Sequence, residues 1–164
     1  MSGSSTTRAD KALAYFHQGY NCSQSVFTAF SDICRLSEKQ ALMLSSPLGA
    51  GIGRMREVCG AFCGLSLLAG QLYGNTIPSP EEKEKIFALI QHLANAFKQE
   101  FGTIYCKELL HLTDEQKNAE GTRPQDRSSA YYAARPCERC VAFCAELGES
   151  LLKEYPANLS QSLK

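Results

Sequence analysis

The stretch C-G-A-F-C-G-L-S-L-L-A-G-Q-L-Y, Cys59 to Tyr73, begins with a cysteine and continues as an almost unbroken apolar run. Leu65, Leu68 and Leu72 recur at three- and four-residue intervals, the spacing that places side chains on one face of an α-helix. A loop rich in helix-breaking residues follows the run. The stretch is therefore predicted to be a buried helix with the Cys59 thiol in its first turn.

The same helical periodicity continues along most of the chain on both sides of this run. Ser37 and Ser79 are predicted N-caps, and the helix after Ser79 is expected to be the longest, ending near Phe101. No segment shows the alternation of apolar and polar residues over enough positions to predict a β-strand. The polar segment 113–135 is predicted to be a loop or a weak helix. The fold class predicted from these patterns is all-α, a compact bundle of about six helices with short connections.

The composition sets limits on the class of protein and on its partners. At 164 residues the chain is expected to be one domain spanning 1–164, with a core over about 8–155 and flexible tails. Its 17 basic and 17 acidic residues balance, so no nucleic-acid partner is expected. Neither a secretory signal nor the roughly 20 apolar residues of a membrane span is present, which predicts a cytoplasmic protein without a membrane partner. The redox partner is not identified, and a homo-oligomer is left open.

Eight cysteines are the main chemical feature of the chain, and four of them are predicted at helix starts. Asn21, Thr103 and Pro136 are residues typical of helix starts, and each lies shortly before one of these cysteines. Unpaired backbone N–H groups and the helix dipole stabilise a thiolate there and lower its pKa. The four cysteines at predicted helix starts are Cys22, Cys59, Cys106 and Cys137. The remaining four are interpreted as small apolar residues; they are Cys34, Cys63, Cys140 and Cys144.

The predicted cytoplasmic location bears on the chemistry of these cysteines. Structural disulfides are rare in a reducing cytoplasm, where clustered cysteines are more often metal ligands or redox-active groups. The working hypothesis is that four converging thiolates form one anionic redox centre. The sequence assigns no catalytic residue, and whether the protein is an enzyme is left open.

The glycine-rich loop 48–56 precedes Cys59 and contains two arginines. A dinucleotide-binding loop would need a preceding strand and a different glycine spacing, so close backbone packing is the favoured interpretation. Cations beside thiolates lower the thiol pKa and offset the charge of a metal centre, although a solvated loop would also carry arginines. The residues expected to surround the centre are Arg54, Arg56, Gly51, Gly53 and Gly60.

Several of these motifs together resemble those of the C-GCAxxG-C-C family of redox-active proteins. The matching features are Asn21-Cys22-Ser23-Gln24, the glycine loop 49–53, Cys59-Gly60-Ala61-Phe62-Cys63-Gly64, then Cys106, and Cys137 with Val141, Ala145 and Glu146. The resemblance covers roughly 11–152, and the first two residues of the central motif are transposed relative to the family name. It implies a redox role centred on the four cysteines already chosen from helix starts.

The resemblance also bears on the cofactor. Related cysteine-bearing domains occur in split-Soret cytochromes, where an iron–sulfur centre accompanies the haems. Here Cys137-Glu138-Arg139-Cys140 is followed by Val141 and not by histidine, so covalent c-type haem attachment is not expected. Cys63 and Cys140 stand four and three residues after predicted ligands, so each is an additional or alternative ligand.

Three functions are compatible with this set of residues. In the first, which is favoured, four thiolates bind a [2Fe–2S] or similar cluster and the protein carries electrons. In the second, the cysteines cycle between dithiol and disulfide, with Cys59 or Cys137 attacking. In the third, zinc bound by four cysteines joins helices without catalysis, because zinc and iron–sulfur ligand sets overlap.

Overall fold

The computed structural model describes residues 5–154, and helices dominate that range. That range contains nine helices, three more than the predicted six; five have eight or more residues and four are shorter. In chain order the elements are α1 (Arg8–His17), α2 (Cys22–Thr28), α3 (Glu38–Ser45), the 3-10 turn Ser46–Leu48, α4 (Gly60–Tyr73), α5 (Pro80–Phe101), α6 (Cys106–Leu109), α7 (Asp114–Ala119), α8 (Ser129–Ala133) and α9 (Cys137–Glu154).

The all-α prediction is confirmed over the described part of the chain, which contains no β-strand. Its one β-type feature is an isolated antiparallel bridge between Val58 and Tyr105. The segment predicted as a loop or a weak helix contains α7 and α8, both short. The predicted flexible tails fall largely on residues 1–4 and 155–164, which lie outside the described residues.

Local capping signals explain where most helices begin. The side chains of Asn21 and Ser37 each accept a backbone N–H three residues later, and a glutamine returns the bond to complete a capping box. Ser79 caps α5 as predicted, and α5 ends at Gly102 with a left-handed φ of 83°. Thr103 is not the N-cap of α6, because that helix starts only at Cys106 and the Thr103 hydroxyl accepts the N–H of Tyr105.

Helix α4 forms the centre of the core and packs against α2, α5 and α9, while α1 packs against α2 and α9. Leu65 and Leu68 of α4 are fully buried, as are Phe16 and Phe30. A Cβ atom at Gly64 would lie 2.7 Å from the backbone oxygen of Ser23, so the close approach of α4 to α2 depends on glycine there. This contact sets the starts of α2 and α4 side by side.

In the part of the chain that the structure describes, no helix combines the length and apolar character needed to cross a membrane. The longest helix, α5, has 22 residues but buries only Leu93, Ala94 and Phe97.

Candidate functional site

Two of the predicted cysteines are the first residues of their helices. Cys22 begins α2 directly after its Asn21 cap, and Cys137 begins α9 directly after Pro136. Because α2 also contacts α9, the two helix starts lie together. Both cysteine side chains are partly exposed.

The other two predicted cysteines are joined by backbone hydrogen bonds between distant segments. The N–H of Cys59 donates to the carbonyl of Ile104 at 2.7 Å, and the N–H of Cys106 donates to the carbonyl of Glu57 at 2.6 Å. Cys59 is the N-cap residue of α4, and Cys106 is the first residue of α6. These two hydrogen bonds hold the backbone around Cys59 against the backbone around Cys106.

All four helix-start cysteines line one cavity of about 50 Å³. A fifth thiol, that of Cys140, joins them one helical turn after Cys137 on α9. Apolar side chains, including Leu109 and Leu110, form part of the remaining wall. The structure therefore brings together five of the eight cysteines; the helix-start argument alone would have missed the fifth, but its three-residue spacing from Cys137 gives the signal.

Cys22 and Cys137 form the first pair of interacting thiols in the cavity. A hydrogen bond from the Cys22 thiol stabilises the Cys137 thiolate, and the charges of Arg135, Arg56 and Arg127 add to this effect. Although burial opposes it, the pKa of Cys137 is lowered to about 7. The same hydrogen bond, together with burial, raises the pKa of Cys22 well above its usual value. Near neutral pH Cys137 is therefore partly ionised, while Cys22 stays protonated.

Cys59 and Cys140 form a second pair with the same division of roles. The hydrogen bond from Cys140 is the main cause of a lowered pKa for Cys59, and burial opposes it. Backbone N–H groups of Phe62 and Ala61 at the start of α4 lower this pKa further. The pKa of Cys140 is raised by its hydrogen bond to Cys59 and by burial. Two hydrogen-bonded cysteine pairs, each with one pKa lowered and one raised, therefore face one cavity.

The Cys106 thiol belongs to neither pair and interacts with an arginine. Nη1 of Arg56 donates to the Sγ atom of Cys106 at 3.7 Å, and the Arg56 side chain is itself buried. Burial raises the pKa of Cys106 to about 11, and the charge of Arg56 limits the rise. Cys106 is thus a largely protonated thiol beside a buried cation.

These pKa directions correct one sequence-based expectation. A helix start was expected to lower the pKa of all four thiols, but the pKa is lowered only for Cys59 and Cys137. At Cys22 and Cys106 burial opposes the thiolate, and Cys22 also donates its proton toward a neighbouring sulfur. One helix terminus cannot offset desolvation where several thiols share a small space.

The remaining cysteines lie outside the cavity wall. Cys63, predicted as an additional or alternative ligand, donates a long hydrogen bond of 3.8 Å to the carbonyl of Val58, and burial raises its pKa to about 11. Cys34 and Cys144 are buried in the apolar core. Their environments match the interpretation of these residues as small apolar side chains.

The glycine-rich loop has a left-handed backbone. Every residue from 50 to 54 has φ between 54° and 72°, including the β-branched Ile52 at 62°. Left-handed φ is costly for side chains other than glycine, so surrounding contacts must hold this turn in place. The N–H groups of Arg54 and Arg56 donate to the carbonyls of Gly49 and Ala50, both at 3.3 Å. The turn directs the two arginine side chains to one side of the molecule.

The glycines around the loop allow close packing of its backbone. A Cβ at Gly51 would lie 2.6 Å from the Cα of Arg56, and one at Gly60 would lie 3.1 Å from the Cα of Gly49. Gly60 contributes to the wall of the thiol cavity. Gly53 does not; it lines a neighbouring cavity, where a Cβ would meet little.

The two arginines of the loop are joined by Glu120. Arg56 makes a short ion pair with the Glu120 carboxylate, and Arg54 lies 3.9 Å from it. Nη1 of Arg54 also donates to the backbone carbonyls of Glu120 and Gly121 at 2.5 and 2.9 Å. Only Arg56 reaches a thiol, so the two predicted neighbours of the centre occupy different positions.

We expect Glu120→Gln to reduce the free energy of unfolding at pH 7 by about 2 to 3 kcal/mol, because it leaves the buried Arg56 cation without its carboxylate. Burial opposes the charge of Glu120, but its hydrogen bond and ion pair with Arg56, with help from Arg54 and Arg135, lower its pKa below 4.5. The stabilisation is complete above pH 4.5 and is lost as pH falls through the lowered pKa. The difference between wild type and variant in urea unfolding should therefore shrink below about pH 4.

The exposed Glu115 of α7 supplies the control, since Glu115→Gln should leave stability within about 0.5 kcal/mol. Equal effects of the two variants at pH 7 would contradict the assigned role of Glu120.

Among residues 5–154, no three His, Cys, Asp or Glu side chains are grouped so that they could hold one metal ion. The thiols interact as pairs, with Cys106 beside Arg56. A centre built on them would therefore join two pairs from three helices, α2, α4 and α9.

The fold and this cavity define an all-α protein with a multi-cysteine centre. The chain belongs to the family whose model is described as "Putative redox-active protein (C_GCAxxG_C_C)", which matches residues 20–151. The family resemblance seen in the sequence is thereby confirmed, and the matched range contains all five thiols of the cavity. No curated protein and no solved structure matches the chain.

Proposed function

We propose that the protein carries electrons through a [2Fe–2S] cluster held in the thiol cavity by two cysteine pairs. The supporting observation is that two interacting cysteine pairs face the same small space, each pairing a cysteine of α9 with one at the start of another helix. A [2Fe–2S] cluster takes four cysteine thiolates, two on each iron. Cys22 and Cys137 would hold one iron, and Cys59 and Cys140 would hold the other.

The surroundings of the thiols suit an anionic centre of this kind. Three arginines, Arg56, Arg127 and Arg135, lie on the cavity wall, and their charges act on the Cys137 thiolate. Cations near a cluster offset its negative charge and favour its reduction. When bound, the cluster supplies one-electron transfer; the chain supplies the ligands, the positive charge and an apolar wall.

Cys106 has a distinct place in this proposal. The sequence predicts it as a ligand, and its thiol lines the same cavity. Its hydrogen bond comes from Arg56 and not from another cysteine. We propose that Cys106 lies next to the centre and tunes it, with Cys140 as the fourth ligand.

Thiol–disulfide chemistry is the second candidate, and the lowered pKa of Cys137 favours it. Cys137 is partly ionised near neutral pH and its protonated partner, Cys22, lies against it, as in an attacking and resolving pair. The Cys137 thiolate would attack a substrate disulfide and release one sulfur as a thiolate. The Cys22 thiol would pass its proton to that group and attack Cys137 Sγ. The chain then holds a Cys22–Cys137 disulfide, and the substrate leaves as one thiol and one thiolate.

Both candidates require reduced cysteines. All eight are free thiols in the structure, and we propose a reducing, cytoplasmic compartment for the protein.

Anaerobic purification followed by iron, zinc and acid-labile sulfide analysis tests the proposal. We expect a coloured protein with about two iron and two sulfide per chain. Stoichiometric zinc without sulfide would contradict the cluster and indicate a zinc site. A metal-free, colourless protein that reduces a small aromatic disulfide would contradict the cluster and favour the second candidate.

A further inference from the structure

A second, larger cavity adjoins the thiol cavity. Its volume is about 490 Å³, which lies within the range of small-molecule binding sites. The two cavities share part of their walls, including Arg56, Arg127, Tyr131 and Arg135. A molecule bound in the larger cavity would therefore sit beside the thiols.

The wall of this second cavity is strongly positive. Four arginines line it, and no aspartate or glutamate does. Glu120, behind the wall, pairs with Arg54 and Arg56. Arg127 and Arg135 make no ion pair with any described residue. The wall therefore carries four guanidinium charges, and the single carboxylate of Glu120 offsets only one of them.

The two unpaired guanidinium groups are held in fixed orientations. Arg127 donates to the backbone carbonyls of Phe16 and Tyr20 at 3.2 and 3.1 Å. Arg135 donates to the side-chain oxygen of Gln125. Both lie over the ring of Tyr131, with their Cζ atoms 4.9 and 4.3 Å from its centroid. Stacked guanidinium groups lose little freedom on binding, and their planar donor pattern matches carboxylate and phosphate oxygens.

We propose that this cavity, hereafter the arginine cavity, binds a small phosphate- or carboxylate-bearing molecule beside the thiol centre. Neutral polar groups on the wall, including Gln24, Thr122 and Gln125, add hydrogen-bonding capacity without negative charge. The claim that this molecule is the substrate of the redox centre rests on the proposed function. The claim that it binds in the arginine cavity does not.

Calorimetric titration of the purified full-length protein with inorganic phosphate, at constant ionic strength set with chloride, tests the binding. A parallel titration with malonate separates phosphate from carboxylate recognition. We expect saturable binding of at least one probe to the wild type. Arg135→Gln should weaken it about tenfold or more, because a charge-assisted contact is lost. Arg139→Gln is the matched control, since Arg139 is exposed, pairs with Glu100 and lies outside the cavity wall.

Gln125→Glu provides a second variant that keeps every arginine. A carboxylate at this position would pair with Arg135 from within the chain, so we expect the same loss of affinity as in Arg135→Gln. Wild-type protein that binds neither probe, or affinities unchanged in both cavity variants, would overturn the inference. Because iron and sulfide are measured separately, absence of the cluster with oxyanion binding retained would count against the proposed function alone.

Discussion

Cys137→Ser is expected to reduce the iron and sulfide bound per chain to near zero. The substitution replaces a soft anionic ligand with a neutral hydroxyl and removes the sulfur whose pKa is lowered to about 7. It also leaves Cys22 without the thiolate that accepts its hydrogen bond. Iron and acid-labile sulfide should be measured on protein purified anaerobically in parallel with the wild type.

Cys144→Ser is the matched control for this variant. Cys144 lies on the same helix, α9, and is fully buried, but it packs in the apolar core and does not line the thiol cavity. We expect it to retain wild-type iron while losing about 1 to 3 kcal/mol of stability, because a hydroxyl is buried among apolar groups. Full iron content in Cys137→Ser would contradict its assignment as a ligand. Equal loss of iron in both variants would indicate that the centre fails through instability.

The second large effect is expected in Cys140→Ser, whose iron content should differ from that of Cys106→Ser. If the two thiol pairs hold the cluster, Cys140→Ser loses it, because Cys59 is left as the single cysteine ligand of its iron. Cys106→Ser should keep the cluster, because Arg56 remains close and a serine hydroxyl also accepts its hydrogen bond. Iron content and the visible absorption spectrum distinguish the two results.

The opposite outcome has an equally definite meaning. Loss of the cluster in Cys106→Ser, with retention in Cys140→Ser, would identify the four helix-start cysteines as the ligands and reject the pairing. Cys63→Ser belongs in the same series, since Cys63 lies one helical turn after Cys59 but outside the cavity wall. We expect it to retain iron.

Much of the fold could be predicted from local signals in the sequence. The caps at Asn21, Ser37 and Ser79 occur as expected, because a capping hydrogen bond depends on residues only three positions apart. The left-handed end of α5 at Gly102 follows from the freedom of glycine in the same way. Such features require no knowledge of tertiary structure.

The part of the site that depends on helix starts could also be anticipated. Cys22, Cys59, Cys106 and Cys137 line one cavity, although they come from distant parts of the chain. The inclusion of Cys140 depends on the rotation of α9 toward Cys59, which spacing alone permits but does not determine. The raised pKa values of Cys22 and Cys106 depend on burial, which is a property of the packed structure.

The arginine cavity was not foreseen for similar reasons. Arg127 and Arg135 lie in a polar segment without clear periodicity, and nothing local indicates that both stack on Tyr131. The left-handed turn over 50–54 could likewise not be predicted from the sequence, because Ala50, Ile52 and Arg54 have side chains that normally avoid positive φ. Only the surrounding contacts impose that conformation.

The most direct test of the central claim is a crystal structure of the anaerobically purified protein with anomalous data collected at the iron edge. The account predicts two adjacent iron peaks in the thiol cavity, one bonded to Cys22 and Cys137 and the other to Cys59 and Cys140. A cavity without an iron peak that contains a Cys22–Cys137 disulfide, or iron bound elsewhere on the chain, would contradict it.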